Sequence, residues 1–476
     1  MADVWSSSLD LCVELSNRGS LGRGIESALR QAICDGRLAV GARLPSTRAL
    51  AHDLGVARGT VSGAYAQLAA EGYITLRPGA VSEVIWVPPA IDPPLDFELD
   101  RVPTWDLRPG SPDSSGFPRQ AWVRTTRAVF QRLPLDAFGY GSSQGASELR
   151  QALTGYLGRA RGVLTSPNRL MICSGFTQAL SLICEVLRRS GAEAVAMEDP
   201  CAPRYRDMVT SSGLRIEGVP CDDQGIAVAA LHGLDVQAVI VTPAHQYPLG
   251  VTLSAARRNA LTDWARQRNA LIVEDDYDGE FRFDRRPVGS LQQMAADRVI
   301  YVGTASKTLA PALRLGWIAL PTAIQALAVE IRDQLDRGNA GFEQLVLAEF
   351  IGSGALDRHV RRTRGEYRKR RDYLVRALAQ DVPQATVTGI AAGLQALVTL
   401  PGETSDRALL TAAKRHDLQL HTLTDYWHKP GAGHQPAVVV GYGGPPANAF
   451  RSCVSELAAV IAEACGRTTL ACLHEP

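Results

Sequence analysis

Thr304-Ala305-Ser306-Lys307-Thr308-Leu309-Ala310-Pro311-Ala312-Leu313-Arg314-Leu315-Gly316 decides the reading of this chain. A β-type run, Val299-Ile300-Tyr301-Val302, leads into it. One lysine stands among small and hydroxyl residues, with an arginine seven positions on. Lysine is scarce here. Of the 50 Lys+Arg residues, the lysines are Lys307, Lys369, Lys414 and Lys429, and Lys307 alone follows an apolar strand. An amine partly withdrawn from water, near other cations, has a depressed pKa and can form a Schiff base. The hydroxyls of Thr304 and Ser306, with the Arg314 guanidinium, could hold a phosphate nearby. An aldehyde that condenses with lysine and a phosphate beside it describe pyridoxal phosphate. The competing reading is a surface lysine behind a buried strand.

Around this stretch, from Asp106 onward, short apolar strands alternate with amphipathic helices. Such alternation predicts an α/β domain with a mainly parallel sheet. Leu170-Met171-Ile172-Cys173 is a buried strand running into Ser174-Gly175-Phe176-Thr177-Gln178, a glycine turn and helix start that can bind phosphate through free amides. Many such turns bind nothing. Ala194 to Pro200 is another strand and turn, and Ala238 to Val241 a further strand leading to Thr242-Pro243-Ala244-His245-Gln246-Tyr247-Pro248-Leu249-Gly250. Leu271-Ile272-Val273-Glu274-Asp275-Asp276-Tyr277 places carboxylates and a phenol at a strand's C-terminal end, where ligands of open α/β sheets gather. A carboxylate there can keep a pyridine nitrogen protonated, and the phenol can bond the ring's 3-oxygen. The plainer role for Asp275 and Asp276 is a helix cap or a turn, and one of the two is expected to do only that.

The N-terminal part has a different character. Leu21 to Leu38 reads as an amphipathic helix with apolar residues at Leu21, Ile25, Leu29, Ile33 and Leu38. Arg43-Leu44-Pro45-Ser46-Thr47-Arg48 follows. A helical Ala49–Val56 segment, a turn at Gly55 and a helix from Ala57 to Leu68 complete a helix-turn-helix layout. Gly72 to Val87 reads as strand, turn and return strand, a wing whose Arg77 could enter a minor groove. Ser46 and Thr60 offer hydroxyls and helix-start amides to phosphates; Arg48 and Arg58 can reach phosphates or guanine edges. Arg43 and Thr47 belong to the same candidate DNA surface. From Arg18 to Arg77 there are eight arginines against Glu26, Asp35, Asp53 and Glu71, a local excess in a chain whose net charge is only +1. The competing reading is a small helical dimerisation domain with solvated arginines. Pro88, Pro89, Pro93, Pro94 and Pro103 punctuate a polar linker.

A chain of 476 residues has material for two or three domains at ~150 residues each. Its 46% hydrophobic and 21% charged content is ordinary for soluble globular proteins. Nine cysteines without a CxxC pair read as reduced residues, with no metal site, and the cytoplasm is the expected address. No apolar run is long enough to cross a bilayer, so no membrane partner is expected.

At the residues quoted, the N-terminus resembles the winged-helix domain of GntR-type bacterial regulators. Tyr140-Gly141 with Gly145, Ser174-Gly175 with Thr177-Gln178, Glu198-Asp199-Pro200, the Thr242–Gln246 run, Glu274–Tyr277 and Ser306-Lys307-Thr308-Leu309 resemble fold-type-I aminotransferases. Joined, the two resemble the MocR subfamily. The resemblance implies a winged helix over 15–87, a linker over 88–105, and an aminotransferase-like domain over 106–476. That domain would have a large mixed, mostly parallel sheet plus a small C-terminal α/β part, and would serve cofactor binding, effector sensing and dimerisation. It implies Lys307 as the Schiff-base lysine, Asp275 on the pyridine nitrogen and Tyr277 on the phenolic oxygen. Gly175, Phe176, Thr177, Thr304, Ser306 and Arg314 would surround the phosphate, and Tyr247 would join the cofactor site. Tyr140 would reach the partner subunit's phosphate in a head-to-tail homodimer. Promoter DNA is the implied macromolecular partner, and Arg361 to Tyr367 with its Arg-rich continuation the long helix leading to the small domain.

Four departures qualify the match. Ala57-Arg58-Gly59-Thr60 stands where many relatives open the recognition helix with Ser-Arg-Asn-Thr, and Gly79 is followed by Ala80-Val81 in place of Gly-x-Gly. Cys201-Ala202 replaces the Gly-Tyr whose aromatic stacks on the cofactor ring, leaving Tyr205 as a substitute. Val438-Val439-Val440-Gly441-Tyr442-Gly443 has valine where amino-acid-using members carry an arginine for the substrate carboxylate. Arg204 is the candidate effector contact. These features point to a regulator using the cofactor for sensing and not turnover, PdxR-like, with pyridoxal phosphate itself the signal for vitamin B6 synthesis genes. The alternatives are a MocR-type regulator sensing an amino acid or other amine through an external aldimine, and a working aminotransferase with a DNA anchor.

Overall fold

The computed structural model describes residues 21–77, 80–88, 103–283, 288–428 and 435–466. The chain divides into two compact units, Met1–Arg101 and Val102–Pro476.

In the first unit, α1 (Leu21–Cys34) buries Ile25, Leu29, Ala32 and Ile33. The helix ends earlier than its apolar spacing predicts. Gly36 turns the chain at φ +72°, the Leu38 N–H returns to Ala32 O (2.9 Å), and Leu38 enters the core from outside the helix. α2 (Thr47–Asp53) starts at Ser46, whose hydroxyl accepts the Ala49 N–H (3.1 Å). Gly55, at φ +64°, turns into α3 (Arg58–Ala70). The Tyr65 hydroxyl, inside the core, donates to Pro45 O (2.8 Å) and ties α3 to the start of α2. Two bridges close the wing: Arg43 pairs with Glu83, and Ile74 with Val84. The Gly79 departure and residues 15–20 of the expected domain lie outside the described residues.

In the second unit, Trp105–Asp106 pairs in parallel with Leu418–Gln419. Trp105, assigned to the linker from the proline pattern, is therefore hydrogen-bonded into the larger unit. The main sheet has eight strands: β1 (Leu170–Cys173), β2 (Ala194–Asp199), β3 (Arg215–Asp222), β4 (Gly225–Ile226), β5 (Ala238–Val241), β6 (Leu271–Asp275), β7 (Val299–Thr304) and β8 (Gly316–Ala319). Their spatial order is β1-β8-β7-β6-β5-β2-β3-β4. Neighbours from β7 across to β3 are parallel, while β8 runs antiparallel to both β1 and β7. Alternate residues separate the two faces. Met171, Val195, Met197, Ile240, Val273 and Ile300 pack with α4 (Phe176–Arg189). Ala194, Ala196, Val239, Ile272 and Val299 pack with Leu261 and Trp264. The strands are apolar almost throughout because both faces are covered.

α5 (Ala355–Asp381) is the expected long helix, 27 residues in length. Arg361, Arg362 and Arg368 are exposed, as a solvated face requires, whereas Arg370 is buried on Asp113 (2.5 Å). Beyond it a small antiparallel sheet forms in the order Thr386–Thr388, Gln395–Thr399, Ala437–Gly441, His421–Thr422. No helix among the described residues is long and apolar enough to cross a membrane.

Candidate cofactor site

β1, β5, β6 and β7 all end at one edge of the sheet, and the quoted motifs follow these ends. After β1, Gly175 takes φ +89° and begins α4. A Cβ on Gly175 would stand 3.8 Å from Thr304 Oγ1, 3.8 Å from Ser306 Oγ and 3.9 Å from Arg314 Nη1. These three groups thus converge on the space that glycine leaves open. Thr304 Oγ1 and Ser306 Oγ bond each other at 2.9 Å, and Gly316 backs the turn so closely that its own Cβ would meet Gly175 Cα at 2.8 Å. α4 starts at Phe176 directly after Gly175, so the amides of Phe176 and Thr177 belong to its first turn, with the helix dipole behind them. Hydroxyls, a guanidinium and helix-start amides are the kinds of donor that a dianion would need.

Asp275, at the end of β6, is buried, and its Oδ1 has no hydrogen-bond partner. Burial raises its carboxyl well above the usual range, with the Asp276 charge adding to the shift. An unpartnered buried acceptor is costly unless a donor arrives, and a protonated ring nitrogen is such a donor. Desolvation lowers the Lys307 amine, partly opposed by Asp275 and Asp278. Its Nζ donates to Gly110 O. Tyr277 O–H donates to His245 O (3.1 Å), and the Gln395 amide donates to Tyr277 Oη (2.5 Å). Tyr247 Oη meets Tyr426 Oη at 3.1 Å, and its ring stands edge-on to Tyr277.

Lys307, Asp275, Tyr277, Tyr247 and Phe176 line one cavity of about 220 Å³. Cys201 and Ala202 line it where the stacking aromatic was expected, and Tyr205 enters beside them, its ring 4.7 Å from that of Phe176. Arg204 lies on the same cavity with its side chain exposed. Tyr140 is not brought to it: its ring is 92% exposed, beneath the Arg337 guanidinium at 5.4 Å.

Asp276 neither caps a helix nor serves only a turn. It accepts two bonds from buried Arg161 (2.6 and 2.9 Å) and one from Tyr301 (2.7 Å). Sequence reasoning missed Arg161, because its partner lies 115 positions away with no spacing to signal it. It also missed Glu198, quoted only within a motif. Glu198 accepts from Thr242 N (3.1 Å) and Oγ1 (2.6 Å), and burial pushes its carboxyl up to about 7.

On the first unit, Arg43, Arg48, Arg58 and Arg77 are exposed. Thr47 Oγ1 accepts from Arg58 Nε (3.4 Å), and Thr60 is half-buried in the first turn of α3. Ser46 uses its oxygen as the α2 cap, which leaves only its O–H for a phosphate.

Residues 21–84 match the family "Bacterial regulatory proteins, gntR family", and residues 113–427 match "Aminotransferase class I and II". The pyridoxine biosynthesis transcriptional regulator PdxR of Corynebacterium glutamicum is 32% identical over 444 residues, covering 92% of this chain and 95% of that protein. The chain is a MocR-type member of the GntR family. An uncharacterized HTH-type transcriptional regulator of Bacillus subtilis, YdeL, is 33% identical over 89% of this chain and 93% of its own length. The probable rhizopine catabolism regulator MocR of Rhizobium meliloti is 29% identical over 91% and 92%. Among solved structures, an archaeal alanine:glyoxylate aminotransferase superposes with a TM-score of 0.70 at 25% identity, covering 76% of this chain and 92% of that one. As a MocR-type regulator the chain binds DNA through its winged helix and uses pyridoxal phosphate as its cofactor.

One departure has a clear structural consequence in this MocR-type chain. In the strand Ala437–Gly441, Val438 and Val440 pack into the core beside α5. Val439 packs with Leu397, Leu423 and Tyr426, against which Tyr247 rests. The position behind Tyr247 is therefore apolar, with no guanidinium on this strand.

Proposed function

We propose that this chain senses pyridoxal phosphate itself and adjusts transcription of genes for vitamin B6 synthesis accordingly, without amino-group turnover. The observation that carries the reading is the apolar cluster around Val439, which offers a substrate carboxylate no bidentate partner. The full-length likeness to a pyridoxine biosynthesis regulator supports it. Bound pyridoxal phosphate supplies an aldehyde for a lysine amine and an electron-withdrawing ring. Lys307 anchors it, and its desolvated amine is neutral at lower pH than a free lysine. Asp275 accepts from the ring nitrogen and Tyr277 bonds the phenolic oxygen. Gly175, Phe176, Thr177, Thr304, Ser306 and Arg314 hold the phosphate, and Tyr247 and Tyr205 wall the ring. The working form is a cytoplasmic homodimer in which Tyr140, exposed in one chain, serves the partner's phosphate. The domain division proposed is a winged helix over 15–87, a linker ending by residue 101 in place of 105, and an aminotransferase-like body from 102 to 476, because Thr104 and Trp105 are both bonded to Asp417 of that body.

Arg204 at the cavity mouth favours one second reading, an effector amine carrying a carboxylate or sulfonate. A spectral screen of the cofactor-loaded protein over amines separates the two. The proposal expects no amine to change the visible band at millimolar concentration. A saturable change with one amine that also alters promoter binding would replace cofactor sensing with amine sensing. Sustained product formation from common amino donors and oxo-acids would make the protein an enzyme.

A further inference from the structure

The Tyr277 phenol touches more than the cavity. His245 is 2% exposed, and its Nδ1–H donates to Asp278 Oδ2 (2.8 Å). That nitrogen then has no lone pair for the nearby phenol, so the Tyr277 proton points to the His245 carbonyl (3.1 Å). Gln395, 3% exposed, donates its amide N–H to the same phenolic oxygen at 2.5 Å. Gln395 opens the strand Gln395–Thr399 of the small sheet, in register with Gly441 on its neighbour.

The surrounding seam is tight. Ile390 N–H donates to Gly250 O (2.7 Å), and Gly393 N–H to Phe281 O (2.8 Å). A Cβ on Gly393 would collide with the His245 imidazole and the Asp278 carboxylate. The segment leading into the Gln395 strand therefore lies directly on the loops that hold Tyr277. A phenolic oxygen has one proton and two lone pairs. With Gln395 on the oxygen, the proton can go to His245 O or to an acceptor in the cavity. An acceptor there draws the phenol off the carbonyl, and the Gln395 amide must follow it or lose its bond.

Resting on the cofactor-sensing reading above, we infer that Gln395 is the positioning residue that passes occupancy of the cofactor's phenolic-oxygen position from Tyr277 to the small C-terminal sheet. His245 and Asp278 hold the acceptor from which the Tyr277 proton is drawn. A buried donor whose only role was stability would leave the response to cofactor intact.

The test uses full-length wild type, Gln395→Met and Gln395→His, with free pyridoxal phosphate as probe and a promoter fragment as DNA. Gln395→Met keeps the bulk and loses the donor; Gln395→His restores one. Gln395→Met is expected to keep the Lys307-dependent visible band, with cofactor affinity weakened up to about tenfold. Its DNA affinity without cofactor equals that of wild type, and the change caused by saturating cofactor is abolished. Gln395→His recovers at least part of that change. A Gln395→Met protein whose DNA affinity responds like wild type overturns the inference. Loss of the visible band at saturating cofactor overturns it too, making Gln395 a binding residue. Failure of wild type itself to respond to cofactor overturns the sensing reading, which this experiment separates from the role of Gln395.

Discussion

Asp275 and Asp276 are adjacent, alike in sequence and opposite in circumstance. Asp276 is satisfied by Arg161 and Tyr301, while Asp275 keeps an unpartnered oxygen in the cavity. Asp275→Asn should therefore fold and weaken pyridoxal phosphate binding at least tenfold in a spectroscopic titration, because a neutral amide cannot stabilise a charged ring nitrogen. Arg161→Ala leaves a buried charge without its partner and should cost about 3–5 kcal/mol in denaturant unfolding. Glu198 gives a pH prediction. Its folded pKa, about 7, lies above the ordinary carboxylate value. The native state then binds more protons than the unfolded state, so the stability Glu198 contributes is fully present below the ordinary pKa and is lost as pH rises through about 7. Glu198 Oε2 accepts from Thr242 N, Thr242 Oγ1 and Gln246 Nε2. Glu198→Gln can keep them, and should be more stable than wild type at pH 8 by roughly 1–3 kcal/mol, with the difference vanishing below about pH 5.

At the scale of elements, the strands and the winged helix were legible in sequence because their signals are local. A run such as Leu170–Cys173 declares a strand covered on both faces, and Ser46 declares a helix start. The Ser46 cap should be worth about 1 kcal/mol, read as the loss in thermal stability of the first unit on Ser46→Ala. Arg48→Ala and Arg77→Ala should each reduce promoter affinity and lower the slope of log affinity against log salt by about 1 if they contact phosphate; a change confined to particular operator sequences would place them on bases. The end of α1 is not legible from the apolar spacing, because Leu38 is apolar and buried yet reaches the core from a turn. Gln395, His245 and Arg161 were not legible, since their roles come from contacts more than 30 positions apart in sequence. The proposed phosphate cradle is half legible. Gly175, Thr304, Ser306 and Arg314 could be named from their motifs, but only the fold brings the β1–α4 turn against the β7–β8 turn.

At the scale of the whole molecule, the function proposed above makes the aminotransferase-like body a receptor for pyridoxal phosphate. In the proposed reading, the apolar setting of Val439 offers an amino-acid carboxylate no guanidinium, while the Gly175 turn, Lys307 and the unpartnered Asp275 oxygen would still receive the cofactor. Such a body should respond to the cofactor without any second small molecule. The most direct measurement is promoter-fragment affinity of purified wild type and Lys307→Ala, each titrated with pyridoxal phosphate while the visible absorbance is followed. A Lys307-dependent band whose growth tracks a change in DNA affinity is expected in wild type, and neither band nor change in Lys307→Ala. A band that saturates while DNA affinity stays constant until an amine is added would contradict it.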